Sequence, residues 1–125
     1  MRSIRAALVA ALTLSGSFSL FAQEGFPLEG SWSGDRQVNG QSSRVLVVMQ
    51  LQRDQSVTGF ALEDGKRQPL QNVQLNPADW TVSFSIDGGY QVQGSLEELG
   101  SATLRRIVGK WTQGDASGDF ALELN

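Results

Sequence analysis

Trp80-Thr81-Val82-Ser83-Phe84-Ser85-Ile86 reads as one β-strand. Trp80, Val82, Phe84 and Ile86 fall on one face and Thr81, Ser83 and Ser85 on the other, the period of two that marks a sheet with one buried and one wet side. Beyond Asp87-Gly88-Gly89 the pattern resumes, with Tyr90, Val92, Gly94 and Leu96 alternating with Gln91, Gln93 and Ser95. Upstream, Val45, Val47, Met49 and Leu51 alternate with Leu46, Val48 and Gln50. At the C-terminal side Phe120, Leu122 and Leu124 alternate with Asp119, Ala121 and Glu123.

Between such runs lie regular turn signals: Asn39-Gly40, Asp54-Gln55, Asp64-Gly65, Asn76-Pro77-Ala78-Asp79, Asp87-Gly88-Gly89, Leu99-Gly100 and Gly114-Asp115. Asn-Gly and Asp-Gly supply the positive φ angles of tight hairpins. This turn count implies about eight strands. Short connections make sequence neighbours into antiparallel spatial neighbours, an up-and-down meander. Curling until the first strand meets the last removes both unpaired edges, so the expectation is an all-β, antiparallel up-and-down barrel rather than an open sandwich.

The first residues have the form of a secretory leader. Met1, Arg2, Ser3, Ile4 and Arg5 give a basic start, Ala6 to Leu14 an apolar centre, and Ser19-Leu20-Phe21-Ala22-Gln23 a small-residue exit. The apolar run is too short and wrongly flanked for a stable membrane span. Cleavage after Ala22 is the first choice and after Ser19 the second. The expected arrangement is a signal peptide over residues 1–22 and a single barrel domain over 23–125, in the periplasm or outside the cell. A chain of that length supports one core.

Charge and composition exclude several functions. The whole chain carries a net charge of −3; losing Arg2 and Arg5 with the leader leaves eight basic residues against thirteen acidic ones. No basic face able to displace nucleic-acid counterions is visible, and Arg105, Arg106 and Lys110 form the densest basic group. The absence of both histidine and cysteine removes histidine-based triads, thiol nucleophiles and His/Cys zinc sites, and leaves the core to hold without disulfides. No cofactor, metal or catalytic set is expected, and the chain reads as a non-enzyme.

Three stretches carry a resemblance: Leu28-Glu29-Gly30-Ser31-Trp32-Ser33-Gly34, Val57-Thr58-Gly59, and Ile107-Val108-Gly109-Lys110-Trp111-Thr112-Gln113-Gly114. Their spacing resembles a small exported lipocalin/avidin-like β-domain often found N-terminal to bacterial serine α/β-hydrolase domains. On this reading no catalytic domain is expected after Asn125, so the resemblance is not taken to imply hydrolase activity. The opening Gly-x-Trp is similar to the first strand of lipocalins and avidins. That resemblance implies a barrel plugged at one end by Trp32, with Arg105 or Arg106 packed over the ring.

Gly30, Gly34, Gly59, Gly94, Gly109 and Gly118 lie in phase with inward apolar residues. They leave two readings open: a cavity for a small apolar ligand, or sharp bends in a narrow barrel filled by Trp32, Trp80, Trp111, Phe84 and Phe120. For a mouth site the residues to watch are Trp80, Tyr90, Arg105 and Trp111, because aromatic walls with one charge suit an amphipathic ligand.

On the outside, Leu46, Val48, Phe60 and Leu62 are expected on adjacent strands as an apolar interface for self-association or a partner protein. A bulge near Gly59 turning Phe60 inward is the alternative. Asp115-Ala116-Ser117-Gly118-Asp119 is faintly like a calcium loop but reads as a hairpin turn. Glu63-Asp64 and Glu97-Glu98 sit beside turns and read as solvated. Outward Gln50, Gln52, Gln91 and Gln93 make a neutral wet face with no function attached.

The functional expectation is therefore an exported binding module, lipocalin-like, that holds a small apolar or amphipathic ligand or docks a partner protein. The alternatives are a structural or oligomerising module using the outer patch and an inhibitor of an exported protease.

Overall fold

The computed structural model describes residues 27–100 and 104–125. The expected signal peptide and its cleavage sites lie outside the described residues. All regular structure is β: β1 (Gly30–Val38), β2 (Gln41–Leu51), β3 (Val57–Glu63), β4 (Lys66–Asn76), β5 (Thr81–Ile86), β6 (Gln91–Glu97), β7 (Arg106–Gln113) and β8 (Ala116–Leu124). Each strand pairs antiparallel with the next. β8 then returns to β1, with Trp32 opposite Leu124 and Arg36 opposite Phe120. The result is the closed eight-stranded up-and-down barrel that the turn rhythm predicts, the topology of lipocalin-like barrels. Among the described residues no helix is long and apolar enough to cross a membrane.

The hairpins form where the sequence places their turn residues. Asn39 and Gly40 have φ of 52° and 80°, and Asp64 and Gly65 have 53° and 75°. Positive φ at both central positions gives the primed turn whose twist matches the strands it joins. These turns, with those after β5 and β7, lie at one end of the barrel, called here the turn end. The entering segment at Pro27-Leu28 and the longer connections after β2, β4 and β6 lie at the other, the entry end.

One residue breaks the regular register. Between Gln71 and Gln74 the pairing of β4 with β5 shifts, and Asn72 takes a φ of 54°. This bulge restores the alternation: Leu70, Val73 and Leu75 pack toward the core while Gln71 and Gln74 both face out.

The inner positions carry apolar side chains from every strand. Trp32, Val45, Val47, Met49, Ala61, Leu70, Val82, Phe84, Ile86, Val92, Leu96, Ile107, Trp111, Phe120 and Leu122 are buried, and among the described residues no polar or charged one is fully buried with them. Phe84 and Phe120 meet edge to face with ring centroids 6.1 Å apart. At the entry end Leu28 is completely buried, and the Trp32 indole N–H donates to its carbonyl at 2.8 Å. Trp32 thus pins the segment that seals that end.

The inward glycines mark close approach of backbones. A Cβ on Gly34 would come within 2.8 Å of Leu122 Cα, and one on Gly94 within 2.5 Å of the Val108 carbonyl oxygen. Gly94 and Gly109 face each other across β6 and β7. The space a side chain would take is already filled by the neighbouring strand, which decides for bends over a cavity.

Candidate functional site

The polar chemistry of the barrel gathers at the turn end. Glu63 ends β3 opposite the inward Val45, and Arg36 lies in β1 opposite Ser43, so both side chains enter the mouth. Nε and Nη2 of Arg36 donate to Oε2 of Glu63 at 3.1 and 2.9 Å. The Ser43 hydroxyl donates to the same oxygen at 2.5 Å, and the Tyr90 hydroxyl to Oε1 at 2.9 Å. The ion pair is 15% and 12% exposed, so it is only weakly screened by water.

Aromatic faces complete the cluster. The Arg36 guanidinium lies 3.9 Å from the Tyr90 ring centroid and 4.6 Å from that of Trp111. The two rings are 5.8 Å apart and inclined at 62°. The Trp111 indole N–H donates to the Gln37 carbonyl at 2.8 Å, and Gly118 leaves the room it needs, since a Cβ there would stand 2.7 Å from that nitrogen. Burial first, and then the adjacent Glu63 carboxylate, push the Tyr90 phenol well above its ordinary range, with Arg36 pulling weakly the other way. Both Glu63 carboxylate oxygens are met from within and the phenol stays neutral, so the arrangement works as a latch across the mouth.

Trp80 and Arg105 belong to the opposite end. Trp80 closes the β4–β5 turn with a φ of 58°, is partly buried against the core, and accepts the Leu96 N–H at 2.8 Å. It precedes β5 rather than opening it. Arg105 donates to the carbonyls of Pro27 at 3.2 Å and Leu99 at 3.4 Å, while its Nε is buried without a partner among the described residues. The four residues proposed for one mouth therefore divide into Tyr90 with Trp111 at the turn end and Trp80 with Arg105 at the entry end, with the packed interior between them.

The family resemblance pointed to an arginine over Trp32. Arg105 does lie at that end, tying down the Pro27-Leu28 segment that Trp32 also holds. Arg106 points outward and pairs with Glu97 at 2.9 Å. The guanidinium stacked on the rings inside the mouth is Arg36, which sequence reasoning missed. Its signal was available: Arg36 shares the phase of Trp32 and Gly34, as Glu63 shares that of Gly59 and Ala61. Reading Glu63 as a solvated turn residue was wrong because β3 runs through it to the turn at Asp64-Gly65.

The outer strip is assembled as the alternation implied. Leu46 stands opposite Leu62 and Val48 opposite Phe60, with the register unbroken past Met49 and Gly59. Phe60 thus stays outside. On β4, Pro69 faces Phe60 and Arg67 faces Leu62, and the Arg67 guanidinium lies 3.8 Å from the Phe60 ring centroid. Leu62 is 38% exposed. Asp115 is a turn residue, and Asp119 pairs with Lys110 at 2.7 Å.

Comparison with known proteins finds no matching family model, no similar curated protein and no similar solved structure.

Proposed function

We propose that the protein is an exported, non-catalytic binding module that docks a partner protein through the outer strip of β2 and β3. The observation that carries this reading is the cross-strand pairing of Leu46 with Leu62 and Val48 with Phe60 on the solvent side of a closed barrel. A closed barrel needs no apolar residue outside for its own stability, so a contiguous outward group of this kind, with Leu62 exposed and Leu46, Val48 and Phe60 half-buried, favours an interaction site. The four side chains with Pro69 form a small patch, suited to a transient contact rather than to an obligate one.

Storage of an apolar ligand inside the barrel has less support, because buried side chains occupy the inner positions and the Arg36–Glu63 latch spans the turn end. Photo-crosslinking in the source organism tests the docking reading, with the reactive side chain placed at Leu62 or, as control, at Ser85. A discrete adduct from position 62 that is missing from position 85 is expected. An adduct between two copies of this chain moves the reading to self-association, and no adduct from position 62 overturns it.

A further inference from the structure

On the face that carries no apolar strip, the rows across β4, β5 and β6 form a trough. Gln74, Ser83 and Gln93 stand side by side, as do Gln71, Ser85 and Gln91. Short hydroxyl side chains on the middle strand make a floor, and long amides on both flanking strands make walls, Gln71 at the end of one wall reaching toward Asp87 Oδ1 at 3.5 Å. With strands about 4.8 Å apart, the walls stand roughly 10 Å from each other. The bulge at Asn72 is what puts Gln71 and Gln74 on the same wall although they are three positions apart. The recess extends onto Lys110 of β7, which pairs with Asp119 at 2.7 Å in an exposed ion pair.

The geometry points to this trough as a binding site for an extended, uncharged glycan. Serine hydroxyls and glutamine amides each donate and accept, which matches the mixed donor and acceptor hydroxyls of a sugar chain. The six side chains carry no charge, and Lys110 at the margin is already paired with Asp119, so the trough offers little to repay desolvation of a phosphate, a carboxylated polymer or a cationic chain. A polypeptide is disfavoured for a separate reason. Extended peptides bind sheets by adding to an open edge, and a closed barrel has none; the polar walls offer no pockets for apolar side chains. This inference is independent of the β2–β3 strip.

The test is a ¹⁵N-spectrum titration of the protein with cellohexaose and maltohexaose, alongside the charged hexamers of galacturonate and glucosamine and a neutral hexapeptide. At least one neutral hexasaccharide is expected to shift the side-chain amides of Gln74, Gln91 and Gln93 saturably. Filling the floor with Ser83→Gln and Ser85→Gln should weaken that binding by about tenfold, the spectrum remaining that of a folded barrel. Leu46→Ser should leave it unchanged. The inference is overturned by an absence of saturable shifts with both neutral sugars. Equal binding of a charged hexamer or the peptide, or undiminished binding after the floor is filled, overturns it as well.

Discussion

The Tyr90 hydroxyl donates to Oε1 of Glu63 across 2.9 Å, joining the start of β6 to the end of β3. Those strands are not neighbours in the barrel, so the bond spans the mouth instead of reinforcing a ladder. Arg36, from a third strand, lies against the same carboxylate and the same ring.

Tyr90 is the chain's one tyrosine, which makes its ionisation directly readable in the ultraviolet. Its folded-state pKa is raised, while an unfolded tyrosine titrates near 10. The stabilisation tied to the neutral phenol is therefore fully present below about pH 10 and is lost as pH climbs toward the folded value. Tyrosinate absorbance at about pH 10.5 should be nearly absent in the native protein and appear on adding denaturant. A native titration with a midpoint near 10 refutes the buried phenol.

Replacing Arg36 by Met strands the Glu63 carboxylate in a poorly solvated mouth. The expected loss is roughly 3 kcal/mol in denaturant unfolding. Removing both charges, as in R36M/E63L, should cost less than the two single changes added together, because no orphaned charge remains. Strict additivity of the two would show that the pair is energetically idle.

The filled interior has its own test. Phe120→Ala should destabilise the barrel by about 3–5 kcal/mol and open an apolar void beside Phe84 and Tyr90. Xenon or benzene should then raise the melting temperature of the variant and leave that of the parent unchanged. An equal response of the parent would reveal internal space already present.

Gly34→Ala drives a methyl group against the backbone of β8, an obstacle no rotamer change can relieve. A loss in the range of 1–3 kcal/mol is expected. Gly100→Ala meets nothing within 4 Å and should stay within about 0.5 kcal/mol of the parent. Equal effects at the two positions would remove close strand approach as the reason for Gly34.

The alternation around Phe84 and the Asn-Gly and Asp-Gly turns made strand number, order and the β2–β3 strip legible in the sequence, because a two-residue period and turn chemistry are local properties. The turn-end latch was harder to read. It depends on Arg36, Glu63 and Tyr90 converging from three strands, and convergence across a bore is fixed by barrel shear rather than by neighbours in the chain. Grouping Trp80 and Arg105 with Tyr90 and Trp111 failed for the same reason: residue type pointed to a mouth without saying which. The bulge that aligns Gln71 with Gln74 also left little trace, since Asn72-Val73 interrupts the period by a single residue.

The seam between β1 and β8 also governs when the fold can appear. Trp32 through Arg36 find their second set of backbone partners only in Phe120 through Leu124, and the Asn125 N–H closes onto the Ser31 carbonyl at 2.9 Å. While the chain is still being synthesised, the first strand has no closing partner and the buried aromatics lack a sealed wall. Native structure must arrive nearly all at once, only after β8 has emerged, so the strands before it spend their synthesis in a form that binding factors can still hold open.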